Sequence, residues 1–132
     1  MKIALIGCAR SGVLARAFRG VGWEAWECDM EPTRDVENER WHIRGDVLRV
    51  VRDVRPDLFI VHPPCTYLSV SGQHWVKRGR IEPDGRPRAL HVAEAFEFFM
   101  DCVAAVRAVG RGGVENPIGI MSTRWRKPDQ IV

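Results

Sequence analysis

Apolar residues along the chain fall into short runs of two kinds. Residues 2–7 (KIALIG) form an unbroken apolar run, the pattern of a strand buried on both faces of a parallel sheet. Residues 13–21 space their apolar side chains helically, at Val13, Leu14, Ala17, Phe18 and Val21, with Gly20 and Gly22 to stop the helix. Residues 24–28 predict a second short strand, ending at Asp29. Residues 31–40 are polar and predict a surface connection, and residues 42–46 a short edge strand and turn. Val47, Leu48, Val50, Val51 and Val54 mark a helix capped by Asp46 and ended by Arg55 and Pro56. Residues 57–61 (DLFIV) are a β-rich apolar run cut off by Pro63 and Pro64, which fix the backbone and remove two ladder donors. Residues 71–87 show no period. Val92, Ala95, Phe96, Phe99, Val103 and Val106 then form one stripe of a long helix over 89–109, ended by Gly110, Gly112 and Gly113. Residues 114–117 predict a fifth strand closed by Pro117, and residues 118–132 have no obvious partner element.

This order, with right-handed crossovers, predicts an α/β fold: a Rossmann-like open, mostly parallel sheet of about five strands with helices on both faces. The length suits one domain over residues 1–132, containing a long basic loop at 72–88. Ligands of such sheets bind at the carboxyl ends of the strands. Cys65 falls there, on a stiff loop after the fourth run, and Glu115 falls after the next strand. The first strand, the turn from Gly7 to Gly12, the helix, the second strand and Asp29 follow the layout of a nucleotide-binding half-sheet, although the same glycine spacing also suits a plain βα turn. Asp46 reads equally as a helix cap or a cofactor contact.

Composition narrows the field. The chain is 45% apolar and 28% charged, with a net charge of +3. That mild basicity admits a nucleic-acid partner without requiring one. Lys77, Arg78, Arg80, Arg86 and Arg88 suit a phosphate backbone or a solvated loop. Trp75 and Trp125 lie beside basic residues and suit contact with DNA, whereas Trp23, Trp26 and Trp41 read as packing residues. Ser69 and Ser71 suit a phosphate or the loop's own turns. The four cysteines (Cys8, Cys28, Cys65, Cys102) are widely spaced with no CxxC pair, so no metal is expected. A zinc deaminase is excluded by spacing: Leu68 stands where the second cysteine belongs, and no HxE occurs. No run is long enough to span a membrane, and free thiols in a reducing cytoplasm are the expectation.

A thiolate with a nearby carboxyl group suits covalent attack on an electron-poor ring. On cytosine, sulfur attack at C6 would saturate the 5,6 bond and make C5 nucleophilic toward a sulfonium methyl donor. The carboxyl group would stabilise the adduct at N3. The base must leave the stack for this chemistry. His62 reads as a support for the loop through a hydrogen bond.

At this point the motifs HPPCTYLSVSG (62–72) and ENPIGIMSTRWRKPDQI (115–131) matter together. They resemble the small phage-type cytosine-C5 DNA methyltransferases, and the resemblance runs over residues 2–132. It implies S-adenosylmethionine as cofactor, DNA as partner and a location in a bacterial host. It implies Cys65 as the attacking thiol, with Glu115 and Asn116 at the target base. It places the turn of Gly7, Cys8, Ser11 and Gly12, with Asp29 and Asp46, around the cofactor, and Met30 and Pro63 are expected beside them; by polarity and charge, Ser69, Ser71, Lys77, Arg78, Arg80, Arg124 and Arg126 are the residues expected to face DNA. Cys8 and Arg10 stand where the family carries adjacent glycines, and no segment resembles its target-recognition domain. Relatives of this type continue with further strands, so an incomplete methyltransferase-type domain is expected, with room for a homodimer over an open sheet edge. The alternative is a non-catalytic module of the same ancestry that binds DNA, S-adenosylmethionine or a host protein.

Overall fold

The computed structural model describes residues 1–116 and 119–131, so the expected strand closure at Pro117 lies outside the described residues. Five strands form one parallel sheet: β1 (Ile3–Gly7), β2 (Glu24–Asp29), β3 (His42–Arg44), β4 (Leu58–Val61) and β5 (Gly112–Val114). Their order is β3-β2-β1-β4-β5. The chain builds outward from β1 to β3 and then returns to lay β4 against the other side of β1. The strand order therefore reverses between β1 and β4, where Gly7 pairs with both Cys28 and Val61.

Successive side chains on a strand point to opposite faces. Ala4, Ile6 and Ala25 pack with Leu14, Ala15 and Phe18 of α1 (Val13–Gly20). Gly7 faces the other way, where a Cβ would lie 2.5 Å from Val47 Cγ2 at the start of α2 (Val47–Val54). The two helices thus cover opposite faces, and Leu5, Phe59 and Val61 are fully buried between such layers.

The helix α1 differs in phase from expectation. Val13, Ala17 and Val21 are exposed, and Leu14, Ala15 and Phe18 turn inward. Eight residues are too few for apolar spacing to set the phase; the left-handed turn at Gly12 sets it instead. Residues 31–40 are not a bare connection, since Val36–Trp41 form a 3-10 turn capped by the Asp35 side chain. The stretch without a period also holds structure: a 3-10 turn at Val70–Gly72, the short helix α3 (Gln73–Lys77) and a bridge between Ile81 and Pro87. The long helix α4 spans Arg88–Val109, and α5 spans Met121–Arg124 in the segment expected to lack partners.

Strand β5 begins two residues before its expected start. Gly112 and Gly113, read as helix stops, are strand residues. Gly112 has a φ of 145°, and a Cβ there would sit 1.8 Å from the Phe59 carbonyl oxygen. The glycine lets β5 approach β4 closely enough to pair.

The chain forms two compact units, Met1–Pro63 with Asp101–Glu115 and Pro64–Met100 with Asn116–Val132. The first holds the whole sheet. The second has its own buried residues, among them Leu68, Val92, Phe99, Ile120 and Met121. Among the described residues no helix is long and apolar enough to cross a membrane.

The β4–β5 approach makes a prediction. Gly112→Ala should destabilise the protein by about 2–4 kcal/mol, because backbone must move. Gly113→Ala, whose Cβ would meet nothing within 4 Å, should cost less than about 1 kcal/mol. Urea midpoints of the two variants decide this; equal midpoints would contradict the close approach.

Candidate functional site

The carboxyl ends of β1, β2 and β4 enclose a cavity of about 350 Å³. It lies at the reversal of strand order, where an open parallel sheet leaves a crevice. Its wall includes Cys8, Arg10, Ser11, Glu27, Asp29, Arg34 and His62. Of the residues expected around a cofactor, Cys8, Ser11 and Asp29 are therefore on the wall, and Gly7, Gly12, Met30, Asp46 and Pro63 are not. Alternation explains Gly7, which points at α2. Met30 is 68% exposed. Asp46 acts as the cap of α2, accepting the Leu48 N–H at 3.1 Å.

Glu27 organises this end of the sheet. It shares a strand face with Ala25 and Asp29, yet it is only 1% exposed. One carboxylate oxygen accepts the Gly12 N–H at 2.8 Å, at the entrance to α1. The other accepts the Thr33 hydroxyl at 2.9 Å and lies 2.9 Å from His42 Nδ1. His42 Nε2 meets the Glu31 carbonyl at 2.8 Å. One buried side chain thus ties together the β1–α1 turn, the loop after β2 and the edge strand β3. A charged residue at an inward-facing strand position was the sequence mark of this role.

The turn itself is strained. Cys8 has a φ of 54°, in the left-handed region that favours glycine. Burial pushes its thiol up to about 12, and the Asp29 and Asp46 carboxylates push in the same direction. Arg10 is engaged elsewhere, donating to the Pro32 carbonyl at 2.8 Å and pairing with Glu31 at 2.9 Å. Asp29 accepts the Glu31 N–H at 2.9 Å and keeps its place on the wall. Burial also pushes Cys28 and Cys102 up to about 12.

At the ends of β4 and β5 the ladder continues one residue further. The His62 N–H donates to the Gly7 carbonyl at 3.0 Å, and the Glu115 N–H donates to the Val61 carbonyl at 2.9 Å. The two side chains then meet, His62 Nδ1 to Glu115 Oε2 at 3.1 Å. His62 supports the carboxylate of Glu115 with its ring, and it also forms part of the cavity wall. Sequence alone did not pair these residues, because register between two strands decides which side chains meet.

In the second unit the Cys65 carbonyl accepts the N–H groups of Leu68 and Ser69, at 3.0 and 3.1 Å, making a tight turn. Leu68 is fully buried and anchors it. The Leu68 carbonyl accepts the Ile120 N–H at 2.8 Å, and Ser69 bridges to Gly119. A Cβ at Gly119 would lie 2.2 Å from the Leu68 oxygen. The two sequence motifs are thus joined backbone to backbone. Arg88 braces the same loop: it donates to the Thr66 carbonyl at 3.3 Å, pairs with Glu82 at 2.9 Å and lies over the Tyr67 ring. The Ser69 and Ser71 hydroxyls are 3.3 Å apart. Lys77, Arg78, Arg80, Arg124 and Arg126 are all exposed; Arg80 pairs with Glu82 at 3.4 Å and Arg126 with Asp129 at 2.9 Å. Asn116 is half-buried.

Among the described residues no group of three His, Cys, Asp or Glu side chains converges as a metal site requires. Compared with known proteins, the chain matches no family model, no curated protein and no solved structure.

The field at Cys8 is testable. With a pKa near 12, about a thousandth of the thiol is ionised at pH 9, so alkylation by iodoacetamide should be slow. Asp29→Asn removes a charge that raises the pKa, so the pKa falls and labelling of Cys8 should accelerate severalfold. Mass spectrometry of the labelled peptide measures it; an unchanged rate would remove Asp29 from the cavity field.

Proposed function

We propose that this chain is an S-adenosylmethionine-dependent methyltransferase acting on C5 of cytosine in DNA, with Cys65 as its nucleophile. The observation that carries the reading is the occupied amide at the start of α1, on the edge of the sheet-end cavity, where Glu27 accepts the Gly12 N–H. A dinucleotide would set its phosphates on the free amides at the start of α1. Here Glu27 already occupies the Gly12 N–H, and Asp29 adds a second carboxylate beside it. That amide is withheld from a phosphate, and a wall carrying Glu27 and Asp29 together with Arg10 and Arg34 suits a ligand of mixed charge, with sulfonium, ammonium and carboxylate groups. The wall residues therefore fit S-adenosylmethionine, with Asp29 suited to the ribose hydroxyls and Arg34 to the carboxylate. Bound there, S-adenosylmethionine supplies the electrophilic methyl group that C5 accepts.

The chain's own residues do the rest. The Cys65 thiolate adds to C6 of an extrahelical cytosine, and the electron pair of the 5,6 bond becomes available at C5. Glu115 holds a proton at N3 and stabilises the adduct, with the His62 ring keeping its carboxylate oriented. Loss of the C5 proton restores the double bond and expels the thiolate. The close backbone pairing of the HPPCTYLS and GIMSTR segments supports this reading, since it fixes the loop on which Cys65 sits.

Two measurements test it. In calorimetry, S-adenosylmethionine should bind saturably, Asp29→Ala should weaken it about tenfold, and NAD should not bind. On duplex DNA containing 5-fluorocytosine, the wild type should form a covalent complex that Cys65→Ser abolishes. Absence of cofactor binding at millimolar concentration sinks the proposal. Binding without an adduct points instead to a non-catalytic module of the same ancestry.

A further inference from the structure

Charge divides unevenly between the two compact units. The chain's 20 basic and 17 acidic residues split twelve with twelve in the unit that holds the sheet and eight with five in the other. The net charge of +3 therefore resides in the second unit. Most acids of that unit are already engaged: Glu82 with Arg88 and Arg80, Asp84 with His91, Glu94 with Arg86, Asp129 with Arg126. Residues 73–80 (QHWVKRGR) contain no acid at all.

Within that stretch a large aromatic ring faces water. Trp75, on α3, is 38% exposed. The Arg80 and Arg78 guanidinium carbons lie 5.2 and 6.0 Å from its ring centroid, and the His74 ring lies 4.5 Å away. Lys77 is exposed on the same short helix. A duplex offers a protein its phosphates, sugars and base edges, while its base faces are covered by stacking. Cations serve the phosphates of a duplex and of a single strand alike, whereas an exposed indole among them adds a stacking surface that a paired run of bases uses little. A single strand uses both parts, its bases on the ring and its phosphates on the cations.

We infer that α3 and the turn after it form a platform for single-stranded DNA. Trp75 stacks one base, and Lys77, Arg78 and Arg80 take the neighbouring phosphates; the choice of DNA rests on the function proposed above. The platform is tied to the loop after Cys65. Gln73 Nε2 donates to the carbonyls of Tyr67 and Ser69, each at 3.1 Å. A strand held on Trp75 is thereby held beside the segment that carries the thiol.

The test uses the full chain and a fluorescein-labelled dT12 oligonucleotide, followed by anisotropy across a salt series without S-adenosylmethionine. The oligonucleotide has no cytosine, so the result is independent of methyl transfer, and a missing 5-fluorocytosine adduct leaves it untouched. dT12 should bind about tenfold more tightly than a dA·dT duplex of the same length. Trp75→Ala should weaken dT12 about tenfold with the salt slope unchanged, and Trp75→Phe should restore most of the affinity. Arg78→Ala should instead lower the slope by about 0.7, the loss of one phosphate contact on a single strand. Thermal melting checks that each variant stays folded. Equal affinity for duplex and single strand, or a Trp75→Ala variant that binds like the wild type, overturns the platform. Tighter binding of rU12 than of dT12 overturns the choice of DNA. Failure of any nucleic acid to bind makes the exposed Val70, Trp75 and Ile81 a protein-docking face and also overturns it.

Discussion

The site depends on where one buried carboxylate spends its hydrogen bonds. Glu27 reaches from the middle of β2 to the first amide of α1, and with its other oxygen to Thr33 and His42. A charge that deep is tolerated only when its partners are in place. The turn after β1, the loop after β2 and the edge strand β3 must therefore assemble together around it. The same bond takes up the first amide of α1, so that N–H is not a free donor at the edge of the cavity.

The second dependence lies at the ends of β4 and β5. Extending the ladder by one residue brings an imidazole against a carboxylate, at the edge where a parallel sheet exposes its chemistry. His62 thus touches both the cavity and Glu115. Glu115 is exposed, which leaves its carboxylate open to a partner from solvent as well as to His62.

Much of the fold was legible in the chain. β1, β2, β4 and α2 were readable because strands buried on both faces, and a helix with a firm cap, write uniform patterns. The phase of α1 was not, because an eight-residue helix carries too few turns for spacing to overrule the glycine turn that starts it. β5 was misread because a glycine pair serves equally as a helix stop and as a close approach between backbones; only the position of Phe59 distinguishes them. α3 was invisible, since five residues have no period. At the site, Cys8, Ser11 and Asp29 line the cavity, whereas the direction of Gly7 and the exposure of Met30 depend on register and were not legible in the chain; Asp46 takes the capping one of its two readings. Glu27 and the His62–Glu115 pair were missed for the same reason: their partners come from segments far apart in the chain.

The pairing of Leu68 with Ile120 and of Ser69 with Gly119 also bears on how such a chain can change over time. Fifty residues apart in sequence, these segments share one backbone ladder that tolerates no side chain at Gly119. They behave as a single heritable piece divided between two places in the gene. A recombination event that joins the first segment of one homologue to the second segment of another brings together two edges never selected for each other. The tip at Gly85 lies outside this ladder and faces open space, although its φ of 83° reserves that one position for glycine.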